Sequence, residues 1–176
     1  MQDPILASLA LFPQALRAHY AVIPPRHARF RPQAWDGCPS EHFDPLHQLW
    51  HLRDIEREGY HVRFRRTLEE DAPLLADIDS YVLAESKGER GTAEQALDEF
   101  EAARAETIAL LASLTPAQLE RPATFDGFGP VTVRGLMHLL CSHDHQHLSG
   151  LQWLACRIDA SEPHPLPHAF FAQAPA

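Results

Sequence analysis

The chain has 176 residues, a formal net charge of −9 at pH 7, 45% hydrophobic side chains and 22% charged ones. That length can bury the core of one domain without disulfides or a structural metal, and the composition excludes a disordered chain. The acidic balance excludes a general nucleic-acid binder, which needs a basic footprint.

Three cysteines with no CxxC pair exclude a disulfide framework and point to a reduced, cytoplasmic setting. The N-terminal stretch MQDPILASLALFPQALRAHY has no basic residues ahead of its apolar run, so it does not read as a signal peptide. No apolar run approaches the roughly 18 residues of a membrane span.

Asp3–Pro4 opens the chain with a capping side chain followed by proline at the first helical position. Leu6, Leu9, Ala10, Leu16 and Tyr20 follow at helical spacing, and Pro13 is expected to kink or divide this first helix. Pro24–Pro25 stops it, and residues 24–44 read as a loop. Asp44–Pro45 repeats the start signal for a second helix from Leu46 to about Glu70, near 37 Å long if it has about 25 residues.

Residues 72–91 read as a long connection with a short helix near 74–85. Thr92–Gln95 has the form of a capping box. Behind it Ala93, Ala96, Leu97, Phe100, Ala103, Thr107, Leu110, Leu111 and Leu114 form one helical stripe. Thr115–Pro116 caps a short turn. Residues 121–131, rich in Gly and Pro, read as a loop rather than a strand, and Thr132 caps a last helix over about 133–157. The expected fold is all-α, an antiparallel four-helix bundle with a long middle connection, spanning 1–158. A Pro-rich tail, 159–176, is expected to be extended, with Phe170–Phe171 available to tuck against the body or a partner chain.

The last helix carries His138, His143, His145 and His147. At about 100° per residue, His143 and His147 lie about 40° apart, on the line of Leu136, Leu140, Leu151 and Leu154. They therefore point inward, while His138 and His145 share a different face with Cys141. Two imidazoles at i and i+4 can chelate one metal ion, and the second helix offers His47 and His51 as candidates for a third. Three histidines leave coordination positions open, as in a catalytic site. Hydrogen bonds donated to Asp54 or Glu56 would be the metal-free way to satisfy the same imidazoles.

HLRDIEREGYHVRFRRTLEED on the second helix and FGPVTVRGLMHLLCSHDHQHLSGLQWL on the last resemble the DinB-like superfamily of small four-helix-bundle proteins, over roughly residues 5–157. The paired signals are H-L-x-D-x-E and H-D-x-x-H-L. The resemblance implies a divalent metal, often nickel or zinc, with manganese or iron as further options, held by His51, His143 and His147. Ser149–Gly150 stand where most such sequences carry a glutamine.

The resemblance also implies an enzyme acting on a small molecule, by hydrolysis or by transfer of a low-molecular-weight thiol, in a chain that pairs as a homodimer. The alternative is a non-catalytic metal-binding or interaction protein of the same fold. Either chemistry wants a base near the metal, and Asp54, three residues after His51, is the first candidate, acting directly or by orienting His51. Glu56 reads as a solvated or interhelix ion-pair residue, and Asp144, about 100° from His143, reads either as a support for the ligands or, like Glu56, as surface charge or a salt bridge. Arg63, Arg65 and Arg66 read as a solvated basic patch, with reception of an anionic substrate as the alternative. Neither a nucleic-acid nor a membrane partner is expected.

Overall fold

The computed structural model describes residues 3–88 and 90–162. The first helix, α1 (Pro4–Tyr20), starts where Asp3 accepts the Ile5 amide. α2 (Pro45–Asp54) starts where Asp44 accepts the His47 amide. It runs through a π turn (Ile55–Tyr60) into α3 (His61–Glu69). A short helix, α4 (Ser80–Lys87), precedes α5 (Ala93–Ala112), whose capping box closes on Thr92 and Gln95. α6 (Pro116–Leu119) is one turn, and α7 (Val133–Ser161) is the longest element. The helix thus continues past the expected end near 157, and the expected tail with Phe170–Phe171 lies, from residue 163, outside the described residues.

The architecture is the expected four-helix bundle of α1, α2–α3, α5 and α7. In chain order these helices run up, down, down, up. Arg17 meets Glu94 while Leu9 meets Arg104, so α1 and α5 are antiparallel. Gln48 meets His147 while His51 meets His143, so α2 and α7 are antiparallel as well. Trp50, Arg53, Glu56 and His61 meet Gly91, Glu99, Arg104 and Thr107 in rising order, so α2–α3 and α5 run parallel. A parallel pair needs a long return, and residues 70–92 supply it.

Two features depart from the sequence reading. First, residues 122–125 and 129–132, read as loop, form strands β2 (Pro122–Phe125) and β3 (Gly129–Thr132), with β1 (Leu74–Leu75) parallel to β2. Strands of four residues holding Pro122 and Pro130 carry too little alternation to declare themselves; burial of Ala123, Val131 and Leu75 on the bundle selects the sheet. Gly127 and Gly129 make the hairpin turn at φ of 72° and 106°, a region glycine enters without a Cβ penalty.

Second, Pro13 does not divide α1. Proline removes the donor that would bond the carbonyl four residues back. That carbonyl, of Leu9, instead accepts Arg104 Nη1 at 3.2 Å. Leu9, Phe12 and Leu16 are buried on either side of the proline and hold the helix to the core.

The core has two apolar clusters. One gathers Leu9, Tyr60, Phe64, Leu111, Leu136 and Leu140; the other gathers Phe12, Leu16, Leu49, Phe100 and Leu151. Between them, on the helices, lies a buried polar layer of His51, Glu56, Arg104, Thr107, Asp144 and His147. Glu56 and Asp144, read as ion-pair or surface groups, are here 1% exposed and share Arg104. Its Nε and Nη2 lie 2.9 Å from the Glu56 oxygens, and its Nη1 and Nη2 lie 2.7 and 3.0 Å from those of Asp144. Breaking such a buried pair strands the partner charges at a cost of roughly 3–5 kcal/mol. Arg104→Met is therefore expected to lose about that much stability, read by urea denaturation, and a loss under about 1 kcal/mol would show that the layer is not structural.

Candidate metal centre

His143 and His147 do face the bundle from α7, whereas His138 and His145 are exposed. His51 of α2 meets the inward pair, with ring centroids 5.2 Å from His143 and 4.6 Å from His147. The second candidate on α2, His47, turns away, its Nδ1 held 2.8 Å from Asp44. The group has a fourth member that helical phase could not find. Glu41, on the loop before α2, brings its carboxylate to 3.2 Å from His147 Nε2 and 3.7 Å from His51 Nε2. One ligand atom from each of Glu41, His51, His143 and His147 lies within 4.8 Å of all the others.

Asp54 does not join this group. Its carboxylate lies 2.6 Å from Arg90 and 2.9 Å from Arg53, and it is 2% exposed. Three residues along a helix brings two side chains to the same side only approximately, and here two arginines capture the carboxylate.

The protonation pattern follows from the partners. Gln48 Nε2 donates to Ser40 Oγ and to the Glu41 carbonyl, both at 2.9 Å. Its Oε1 therefore faces His147 and must accept a proton from His147 Nδ1. His147 Nε2, on the other side of the ring, is fully buried and has no hydrogen-bond partner among the described residues. It faces a carboxylate, which has no proton to offer when ionised. His51 Nε2 and His143 Nε2 stand 3.1 Å apart beside it. Imidazole nitrogens and a carboxylate gathered this closely hold more lone pairs than protons, an excess that a cation among them would compensate. The donor set of imidazoles and one carboxylate suits a divalent transition metal.

Burial drives the electrostatics. It lowers His51 to a pKa of about 3, with the neighbouring His147 adding to the shift, and it holds His143 well below the ordinary range. Both imidazoles are therefore neutral, the form that binds metal. Burial opposes the charge on Glu41, but its close approach to His147, and then to His51, outweighs burial and lowers its pKa.

Gly150 lets the loop approach. A Cβ there would come within 2.1 Å of Ser40 Oγ, the hydroxyl that receives Gln48. The amide that meets His147 comes from Gln48 of α2. One side of the centre opens on a cleft of ≈ 260 Å³ lined by Glu41, Tyr60, Arg63, Phe125 and His143.

Gln48→Ala is expected to weaken metal binding about 10- to 100-fold, as loss of an orienting partner does, measured by competition with a chromogenic chelator. Unchanged affinity would mean that the amide does not orient the ring. The second expectation concerns acid. Between the ordinary histidine value of 6.5 and about 3, the unfolded chain takes up a proton that folded His51 refuses, so stability falls as pH falls through that window. Burial raises Asp144 to about 6 despite Arg104, which acts in the opposite sense between 3.8 and that value. Two histidines against one carboxylate leave a net loss, so the metal-free protein should melt lower at pH 5 than at pH 7.5. A rise in melting temperature on acidification would contradict this.

Comparison with known proteins agrees with this architecture. None of the curated proteins matches the sequence. Among solved structures, YfiT from Bacillus subtilis, described as a probable metal-dependent hydrolase with an unusual four-helix bundle topology, superposes with a TM-score of 0.76 at 21% identity. The match covers 89% of this chain and 87% of that one, and at that identity it speaks for the fold. The profile of the DinB superfamily matches residues 9–150, and the chain belongs to that superfamily.

Proposed function

We propose that the protein is a metal-dependent enzyme acting on a small molecule, by hydrolysis or by thiol transfer, with His51, His143 and His147 holding the ion. The observation that carries this reading is the buried Nε2 of His147, without a hydrogen-bond partner among the described residues, 3.2 Å from a Glu41 carboxylate that lines an open cleft. A divalent ion bound there would supply the Lewis acidity that brings the pKa of a water or a thiol toward neutrality. Nickel and zinc both accept imidazole, so the donor set does not choose between them.

The chain's own residues divide the remaining work. Gln48 fixes the His147 tautomer, and the neutral state of His51 and His143 keeps their lone pairs available. Glu41 is the carboxylate with access to the reacting end. Its side chain is 29% exposed and lines the cleft, so it can take a proton and release it to solvent. Asp54 lacks that access, and its role here is to hold Arg90 and Arg53 behind His51. The fourth donor, Glu41, favours a second reading, a closed, non-catalytic metal site. The cleft beside His143 favours the first.

Elemental analysis of protein purified without a nickel column tests the site. About one ion per chain, as one closed donor group holds, is expected in the wild type and should be lost in His147→Ala. Glu41→Gln should retain the ion and lose turnover in a hydrolase and thiol-transfer screen by about 100-fold, as removal of a general base does. No ion in the wild type, even after adding nickel, zinc or manganese, would overturn the proposal. An ion bound without turnover in any assay would support the non-catalytic reading.

A further inference from the structure

Arg63 of α3 lines the same cleft, and it is 5% exposed. Its guanidinium carbon packs 4.3 Å from the Phe125 ring centroid and 5.1 Å from that of Tyr60, whose ring is 6.4 Å from His143. Gly59 keeps the adjoining space clear, since a Cβ there would stand 3.2 Å from Arg63 Nη1.

A buried guanidinium with five N–H donors normally collects acceptors. Arg104, elsewhere in this chain, does so with two bidentate carboxylates. Arg63 does not. Among the described residues both of its hydrogen bonds leave from Nη2, to Ala76 O at 3.3 Å and Asp77 Oδ1 at 3.4 Å. Its Nε is buried without a partner, and the Asp77 side chain is 71% exposed. The cation is thus sequestered and braced by aromatic rings, and its one carboxylate contact, Asp77, is long and largely exposed. The cleft it lines carries both charges, the Glu41 carboxylate beside the histidines and the Arg63 guanidinium.

We propose that Arg63 is the recognition residue of this cleft, and that the substrate carries a carboxylate which the guanidinium takes while the reacting end lies at Glu41 and the histidines. The position of the reacting end rests on the proposed function; the anion site itself does not. A carboxylate suits the planar fork of arginine, which binds it through two parallel hydrogen bonds. The opposite charges of the two ends set the direction in which the molecule enters. The substrate class is accordingly a small carboxylic acid bearing a thiol or a hydrolysable group.

The test uses a matched pair of probes, 3-mercaptopropionate and its neutral amide, 3-mercaptopropionamide. Each is titrated into cobalt-loaded protein and followed by the visible spectrum of the ion. The wild type should bind the acid at least about tenfold more tightly than the amide, the scale of one charge-assisted interaction. Arg63→Met, chosen to keep the packing against Tyr60 and Phe125, should bring the two within about twofold while cobalt stoichiometry stays unchanged. Equal affinities in the wild type would overturn the inference. So would a preference that survives in Arg63→Met, because the carboxylate would then be reading the metal.

The same pair titrated into metal-free protein by NMR should still show the acid preferred. If cobalt is not taken up, the proposed function fails while this titration still decides on Arg63. Should Arg63→Met not fold, the acid-to-amide ratio of the metal-free wild type decides: a ratio near one overturns the anion site, and a preference for the acid supports it.

Discussion

Four segments of the chain meet at one guanidinium. Arg104 of α5 reaches the Leu9 carbonyl of α1, Glu56 of the π turn and Asp144 of α7. Thr107, one turn on, also donates to Glu56. Replacing such a network by apolar side chains often leaves stability unchanged or improved, so net stabilisation does not explain it. Its physical effect is register. Apolar clusters above and below tolerate sliding of one helix along another, whereas a buried guanidinium tolerates only the position at which each carboxylate meets it. The heights of α1, α2 and α7 relative to α5 are set in this way.

The metal centre depends on that register. Asp144 sits between His143 and His147 on α7, and Glu56 lies five residues after His51 on α2. Once Arg104 holds Asp144 and Glu56, the three imidazoles have little freedom along the bundle axis. The π turn contributes by widening the helix at Ile55–Tyr60, so that His51, Glu56 and Tyr60 all face inward although they are not in phase for an α-helix. Burial then makes His51 and His143 neutral, and Gln48 accepts from His147 Nδ1. These steps concentrate electron pairs beside the cleft, while Arg63, packed on Tyr60 and Phe125 and met by the exposed Asp77 carboxylate, lines the same cleft.

Much of this was legible before folding. The caps at Asp3, Asp44, Thr92, Thr115 and Thr132 marked helix starts, and the inward phase of His143 and His147 followed from the apolar line through Leu136 and Leu151. These are local signals, each read within a few turns of one helix. Glu41 escaped because a loop has no phase to read, and nothing in residues 24–44 says where a carboxylate ten positions before His51 will turn. Asp54 was well spaced for the site and went elsewhere because Arg53 and Arg90 compete for it. The short sheet escaped because the residues that pair, Leu74 with Thr124 and Leu75 with Phe125, are 50 residues apart, and neither half alternates long enough to be recognised.

The sequence by itself determined the helices, their inward faces and an imidazole pair that had to be either compensated or metallated. Those properties depend on side-chain spacing along one element, which helical geometry converts directly into direction. Tertiary structure alone decided which charges are buried, which carboxylate joins the histidines and which arginine keeps a buried Nε without a partner beside the cleft. Glu56, Asp144, Asp54 and Glu41 are the same kind of group in the sequence. They differ only in what the folded chain places against them, and in a low-dielectric interior that neighbour determines the role of the charge.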